Sequence, residues 1–151
     1  GVITTILRSC PVLGPNADNF ISRSLARPLL LKIAGHNPQM QLIHEDDITT
    51  AISKCVLSDS PGTYNLAGRG SISWDKIASE LGRWKITLPA KFLYPVTETT
   101  WKLHLQSRSP SCGLDLIRYP WIVSTEKANL ELGINSHYST LETVESFVRR
   151  R

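Results

Sequence analysis

Long hydrophobic runs are missing from this 151-residue sequence. A membrane-spanning helix needs about 18 or more consecutive apolar residues. The longest apolar cluster here, at residues 28–33, has the length of a strand and contains Lys32. The first residues also lack the basic and then long apolar segments of a secretory signal. We therefore expect no membrane partner and a cytoplasmic location.

Cysteine is scarce, and the three present, Cys10, Cys55 and Cys112, form no Cys-x-x-Cys pair. An odd number of widely spaced thiols is typical of a protein from a reducing compartment. Cys55 is predicted to lie on the apolar face of a helix, where a thiol behaves as a small hydrophobic group. A structural role is also favoured for Cys10, because the sequence places no histidine to activate it.

An excess of basic residues is present only at the end of the chain. The formal net charge is +4, and Arg149, Arg150 and Arg151 supply three of the positive charges. Without this tail, 14 basic residues face 13 acidic ones. No segment interleaves aromatic and basic side chains, as proteins that bind single-stranded nucleic acids do. We therefore expect no nucleic-acid partner.

Several catalytic and cofactor motifs are absent. The sequence contains neither the G-x-x-x-x-G-K-[ST] phosphate loop nor the G-x-S-x-G elbow of many hydrolases. Gly68-Arg69-Gly70 lies between a predicted strand and a predicted helix, but Ser73 stands where a dinucleotide loop has its third glycine. We interpret this segment as a turn.

No metal site is predicted. Residues 44–47 read His-Glu-Asp-Asp, but neighbouring side chains of a strand point to opposite faces and do not converge on one ion. His36, His104 and His137 lack a second ligand at the spacing of a zinc site. We interpret His44 as a partly buried histidine at a helix start, where the two aspartates favour the first turn.

Strand and helix patterns alternate along the chain, which predicts the α/β class. Predicted strands cover residues 4–8, 28–33, 39–43, 63–67 and 86–88. Predicted helices cover residues 19–25, 46–56, 73–81, 125–132 and 139–148, and residues 89–105 are predicted as one or two helices around Pro95. Asp18 is a candidate cap for the first helix, and Ser139 with Glu142 forms a capping box before the last. Residues 106–113 are polar and predict a flexible loop.

The loop of residues 9–13 is the strongest candidate ligand site. It follows the first predicted strand, and ligands of open α/β sheets bind outside the carboxyl ends of strands. The alternative is a purely structural loop stiffened by Pro11 and Pro15.

Four short motifs follow one another along the chain. Their residues are Arg8, Gly14 and Pro15; then His44 and Asp47; then Gly62, Tyr64, Asn65, Leu66, Ala67 and Gly68; and last Leu132, Gly133, Tyr138, Ser139 and Thr140. In this order they resemble R-x-x-N-x-x-G-P, R-D-F-[IV]-H-V-x-D, G-x-x-[YF]-N-[VIL]-[AG]-G and the closing segment of extended short-chain dehydrogenases/reductases. The resemblance is to the NAD-dependent epimerase/dehydratase family.

The resemblance implies the C-terminal part of a Rossmann-like NAD(P)-binding fold with the small substrate-binding lobe. Residues 1–151 would form this substrate-binding portion, without the N-terminal dinucleotide-binding half. NAD or NADP would be the cofactor of the intact parent. The cofactor-binding positions would be Ser9, Cys10, Pro11 and Val12. The substrate-binding positions would be Pro11, Leu13, Asn19, Met40 and His44.

The chain also departs from the family pattern. Pro11 replaces the asparagine and Met40 the arginine that hold a sugar-nucleotide diphosphate in the family, so a more apolar substrate is expected. No tyrosine is followed four residues later by lysine, and the glycine-rich loop is absent. No catalytic residue is therefore assigned, and the chain is expected to be inactive alone.

The intact parent is expected to act on an alcohol or ketone carbon of a small molecule, and a homodimer of it remains open. The alternative is a non-catalytic module that uses the same fold to bind a ligand or a partner protein.

Overall fold

Strands and helices alternate in the computed structural model, which describes residues 2–106 and 109–149. The strands are β1 (Thr5–Ser9), β2 (Val12–Leu13), β3 (Leu29–Ile33), β4 (Gln39–Met40), β5 (Ile43–His44), β6 (Gly62–Leu66), β7 (Ile72–Ser73) and β8 (Trp84–Leu88). The helices are α1 (Phe20–Leu25), α2 (Glu45–Val56), α3 (Trp74–Glu80), α4 (Ala90–Lys102), α5 (Glu126–Leu132) and α6 (Thr140–Arg149). A 3-10 helix spans Ser111–Ile117. The predicted α/β class is confirmed.

Three of the strand pairs are parallel. They join β1 to β6, β2 to β5 and β3 to β8, and β4 pairs with β7 in the antiparallel sense. Parallel neighbours require crossover connections, and here helices and loops provide them. β1 is less buried than expected, because β6 is its only strand neighbour among the described residues.

The core has three parts. The first lies between α1, α3 and α6 and contains Leu13, Leu25, Leu30, Met40, Leu42, Trp74, Ile77 and Phe147. The second joins β5 and β6 to α2 and α5 through Ile43, Ala51, Tyr64, Leu66 and Ala128. The third, of Ile33, Leu93 and Leu114, packs α4 and the 3-10 helix on the end of β3.

The start of α2 differs from the prediction by one residue. The helix begins at Glu45, and His44 is its N-cap, because His44 Nδ1 accepts a hydrogen bond from the Asp46 amide at 3.2 Å. Helical spacing predicts an apolar face of Ile48, Ala51, Ile52, Cys55 and Val56, and this prediction is only partly correct. Ala51 is buried, but Ile52 is 49% exposed and Val56 is 78% exposed. The second half of α2 therefore presents much of its apolar face to solvent.

Other element ends shift for local reasons. The cap of α1 is Asn19 rather than Asp18, since the Asn19 side chain accepts from two amides of the first turn. The strand predicted at 39–43 divides into β4 and β5, with different partners. Residues 89–105 contain one helix, α4, with Pro95 inside it.

The loop predicted at residues 106–113 is partly helical. Residues 107 and 108 lie outside the described part of the chain, and the 3-10 helix begins at Ser111. The Ser111 amide and hydroxyl donate to Glu98 at 3.1 and 2.8 Å. These bonds lower the pKa of the Glu98 carboxyl and hold the 3-10 helix against α4.

The capping box before α6 is confirmed: the Ser139 amide donates to Glu142 Oε2 at 2.7 Å, and the Glu142 amide donates to Ser139 Oγ at 3.2 Å. Helical spacing predicts Leu141, Val144, Phe147 and Val148 as the apolar stripe of α6. The buried face differs, since Thr140 and Thr143 are buried with Val144 and Phe147, whereas Val148 is exposed. Among the described residues, no helix has the length and apolar character to cross a membrane.

An ion cluster ties the β3–β8 pair to α3. Lys32 and Lys85 both donate to the Asp75 carboxylate, with 2.7 Å between Lys85 Nζ and Asp75 Oδ1. The hydrogen bond from Lys32 and then that from Lys85 lower the pKa of Asp75. A carboxyl group whose pKa is lowered by folding stabilises the fold above its unfolded pKa, and this contribution is lost as the pH falls.

We therefore expect Asp75→Asn to destabilise the protein near neutral pH and to matter less in acid. The free energy of unfolding, measured by urea titration of both proteins at about pH 6 and about pH 3, checks this. The matched control is Asp18→Asn, which removes an exposed carboxylate paired with Arg23 and should change little at either pH. A difference between wild type and Asp75→Asn that stayed constant with pH would contradict the expectation.

Candidate substrate-binding site

The segment predicted as a loop at residues 9–13 is mostly strand: Ser9 ends β1, only Cys10 and Pro11 form the connection, and Val12 and Leu13 form β2. We keep the name loop for this segment. The Cys10 amide donates to the Leu66 carbonyl at 2.8 Å, which extends the β1–β6 ladder by one bond. The Pro11 carbonyl accepts from the Ile43 amide at 3.1 Å. Ser9 is exposed and Cys10 is buried, and burial raises the pKa of the Cys10 thiol. The loop thus lies at the carboxyl end of β1, where open α/β sheets bind ligands.

Asn19 connects this loop to α1. Its Oδ1 accepts from the amides of Ile21 and Ser22 at 2.9 and 3.0 Å, and its Nδ2 donates to the Val12 carbonyl at 2.8 Å. The same side chain therefore caps the helix and fixes the helix to the loop. A role in substrate binding, which the sequence predicts for Asn19, would add to these three bonds.

A cavity of about 670 Å³ is lined in part by residues of α1. This volume is in the range of about 300–1,000 Å³ that is typical of small-molecule sites. Its walls come from α1, β3, α3, α4 and the 3-10 helix, and Met40, Leu42 and Trp121 complete them.

The cavity walls are mainly apolar. Arg27 is the only charged side chain among the described lining residues. The polar ones are Ser24, Thr97, Thr100, Gln106 and Ser109. Within residues 2–106 and 109–149, no three His, Cys, Asp or Glu side chains cluster as metal ligands would. The chemistry of the cavity therefore suits a largely apolar molecule.

The predicted site residues fall into two places. Met40 lines the cavity, and the fully buried Leu13 packs beside it in the first core. Pro11 belongs to the loop, and neither it nor Asn19 is among the lining residues. The assignment of Ser9, Cys10, Pro11 and Val12 to the cofactor, and of Pro11, Leu13, Asn19, Met40 and His44 to the substrate, stays a prediction.

His44 occupies a structural position. Its side chain is 3% exposed, and its ring stacks on Tyr138 with 3.8 Å between ring centroids. Its Nδ1 atom accepts from the Asp46 amide, so His44 lies at the helix start as predicted, but it is itself the N-cap and is buried rather than partly buried. Little surface of the ring remains for a ligand.

Most of the cavity lining was not predicted from the sequence. One signal was available in α4, where Leu93, Val96, Thr97 and Thr100 recur at helical spacing and share the face that lines the cavity. The contribution of the 3-10 helix had no local signal, because only the folded chain brings it beside α1.

No protein-family model matches the sequence, but curated proteins of Mycobacterium tuberculosis are similar to it. The uncharacterized protein Rv0501 of Mycobacterium tuberculosis is 25% identical over 150 residues, which are 99% of this chain and 40% of that protein. The uncharacterized protein Rv2047c of the same organism is 29% identical over 124 residues, 80% of this chain and 14% of that protein. The chain thus spans two fifths or less of these curated relatives.

Solved structures match over 97% of this chain. MoeE5 in complex with UDP-glucuronic acid and NAD has a TM-score of 0.66 at 15% identity, and 46% of it is covered. UDP-glucuronic acid 4-epimerase from Bacillus cereus, in complex with the same two ligands, has a TM-score of 0.63 at 17% identity, with 44% covered. RMD from Pseudomonas aeruginosa complexed with NADPH has a TM-score of 0.59 at 9% identity, with 47% covered. The chain therefore has part of the Rossmann-like α/β fold found in these nucleotide-cofactor-bound proteins.

Proposed function

We propose that this chain is the substrate-binding part of an NAD(P)-dependent oxidoreductase of the epimerase/dehydratase type, which acts on an alcohol or ketone carbon. One observation carries the proposal. The helix that walls the apolar cavity, α1, is fixed by Asn19 to the loop at the carboxyl end of β1. A substrate in the cavity would thus lie next to the edge of the sheet where Rossmann-like folds bind their ligands.

The loop has features that suit the nicotinamide end of a dinucleotide. It is short and uncharged, with Ser9 exposed and with backbone groups of Cys10 and Pro11 already bonded to neighbouring strands. Such a rigid, uncharged surface fits a flat ring better than it fits a pyrophosphate. The cofactor, when bound, would supply or accept a hydride. The residues of this chain would orient the substrate and exclude water from it.

The acid/base pair of this reaction lies outside the 151 residues, since no Tyr-x-x-x-Lys occurs in them. We therefore expect turnover only from the whole gene product. The coding sequence on both sides of the segment that encodes these 151 residues should be read. The complete gene product and the 151-residue chain should then be expressed separately and compared. The complete product should bind NAD or NADP in a calorimetric titration and oxidise the reduced cofactor with a ketone. The chain alone should do neither.

A substitution in the cavity wall tests whether the cavity binds the substrate during turnover. Val96→Glu puts a charge on the cavity wall at a position that is 59% exposed, so it should raise KM for an apolar ketone in the complete product without weakening dinucleotide binding. Val96→Leu is the matched control and should change KM little. A complete product that binds neither dinucleotide would contradict the proposal.

The second candidate is a non-catalytic ligand-binding module. It is favoured by the fact that residues of this chain alone form the cavity, so ligand binding needs no cofactor-binding part. Saturable binding of an apolar ligand by a complete product that neither binds a dinucleotide nor turns over would support this candidate instead.

A further inference from the structure

We propose that the cavity binds an amphipathic molecule with one aliphatic chain and one anionic head group, which pairs with Arg27. This inference rests on the proposed function and narrows its substrate class. It differs from the sugar nucleotides named for several of the similar structures.

The apolar part of the cavity has side chains that the protein itself does not cover. Phe20 of α1, Leu29 of β3 and Val96 of α4 all line the cavity and are 46%, 44% and 59% exposed. They belong to different elements and converge on one concave space. Large apolar side chains on the wall of a pocket of this volume are typical of a site whose ligand completes the burial.

The polar side chains of the lining are largely occupied. Ser24 Oγ donates to the Phe20 carbonyl at 2.8 Å, and Thr100 Oγ1 donates to the Val96 carbonyl at 2.8 Å. Trp74 Nε1 donates to the Leu31 carbonyl at 3.0 Å. A ligand with many hydroxyl groups, such as a sugar, would lose its hydrogen bonds to water and find few donors here, which is unfavourable.

Arg27 is the charge that remains. The described residues offer it no ion pair, whereas Arg23, one turn earlier, pairs with Asp18 at 3.0 Å. Lys32 and Lys85, on the nearby sheet, are both paired with Asp75. One half-buried arginine in a mainly apolar lining suits one carboxylate or similar anion, because an arginine–carboxylate pair is charge-assisted and can be bidentate.

Calorimetric titration of the 151-residue chain with four probes, each below its solubility limit or micelle concentration, tests this. Decanoate should bind saturably, and decan-1-ol should bind about tenfold more weakly because it lacks the charge. Hexanoate should bind more weakly than decanoate, by about fourfold for each methylene that is removed. UDP-glucose should show no saturable binding. Equal affinities for decanoate and decan-1-ol, or tighter binding of UDP-glucose, would overturn the inference.

Paired variants locate the site. Arg27→Gln should weaken decanoate binding about tenfold and leave decan-1-ol unchanged, whereas Arg23→Gln, which removes a charge four residues earlier in α1, should affect neither. Val96→Trp, in the cavity, should block decanoate binding, whereas Val56→Trp, on the exposed end of α2, should not. Loss of binding in the two control variants as well would place the probe elsewhere.

The two proposals fail separately. A complete gene product that reduces a small polar ketone, together with a chain that does not bind decanoate, would contradict this inference and leave the proposed function standing. Decanoate binding that depends on Arg27, in a complete product without dinucleotide binding, would contradict the proposed function and leave this inference standing.

Discussion

Replacing Asp47 with alanine should lower the free energy of unfolding by about 4 kcal/mol. The Asp47 side chain is 5% exposed and accepts two hydrogen bonds from a distant segment. Oδ1 accepts from the His137 amide at 2.9 Å, and Oδ2 accepts from the Tyr138 amide at 3.1 Å. A hydrogen bond to a charged group contributes about 1.5–3 kcal/mol, and alanine removes two of them.

The position of Asp47 adds to this cost. It lies in the first turn of α2, where a negative charge interacts favourably with the helix dipole. The segment that it holds includes Tyr138, whose ring stacks on His44. Without Asp47 this segment would lose both its bonds and part of the stacking geometry that buries His44.

Urea unfolding monitored by circular dichroism measures this change in the free energy of unfolding. Asp46→Ala is the matched control, because Asp46 shares the first turn and the dipole but its side chain is 70% exposed. Asp46→Ala should cost less than about 1 kcal/mol. Asp47→Asn should fall between the two, because one oxygen remains as an acceptor while the new NH₂ group faces an amide donor. Equal costs for Asp46→Ala and Asp47→Ala would contradict the anchoring role.

Gly68→Ala should destabilise the protein by about 3 kcal/mol. A Cβ atom at Gly68 would lie 2.4 Å from the Leu42 carbonyl oxygen and 3.3 Å from the Thr140 nitrogen and the Tyr138 carbonyl oxygen. All three are backbone atoms, which cannot rotate away as a side chain can. The Gly68 amide donates to the same Leu42 carbonyl at 2.8 Å, so relief of the clash would break a buried hydrogen bond.

Gly70→Ala provides a control with the opposite backbone properties. Gly70 has a φ of +68°, which disfavours alanine by about 1–2 kcal/mol, but nothing lies within 4 Å of the added Cβ. Gly68 has no such positive φ. If the backbone φ alone set the cost, Gly70→Ala would destabilise the protein more than Gly68→Ala. Because the added Cβ clashes with backbone atoms only at Gly68, we expect Gly68→Ala to be the more destabilising change. Thermal unfolding of both variants decides between the two, and a larger loss for Gly70→Ala would contradict the packing argument.

Asp47 and Gly68 both contact the segment that leads into α6, and we call this region the junction. Packing at the junction gives a structural reason for several of the motif residues. Asp47 holds residues 137 and 138, and Gly68 lies against Leu42 and the start of α6. Near the same junction, a Cβ atom at Gly14 would lie 2.7 Å from the Glu45 side chain. The Glu45 carboxylate in turn accepts from the Asn16 amide at 3.0 and 3.1 Å. The segments that carry the family resemblance therefore contact one another.

Much of the fold could be predicted because its signals are local. Apolar runs, prolines and glycines placed most strands and helices within a few residues. Ser73 and the Ser139–Glu142 box marked helix starts correctly, because a capping bond spans only two or three residues. The buried faces of α2 and α6 were less predictable, since which side of a helix is covered depends on neighbours that are distant in sequence. Val56 and Val148 are exposed for this reason.

By itself, the sequence determined the α/β class, the order of the elements, the absence of a Tyr-x-x-x-Lys pair and the candidate loop at residues 9–13. Periodicity and turn residues act over short stretches of chain, so these features need no tertiary contacts. The cavity, the position of Arg27 as the one charged residue among its described lining residues, and the long-range contacts of His44, Asp47 and Gly68 depend on the tertiary structure. The cavity walls and these contacts join residues that are far apart in the chain, and long-range packing, which no local pattern encodes, brings them together.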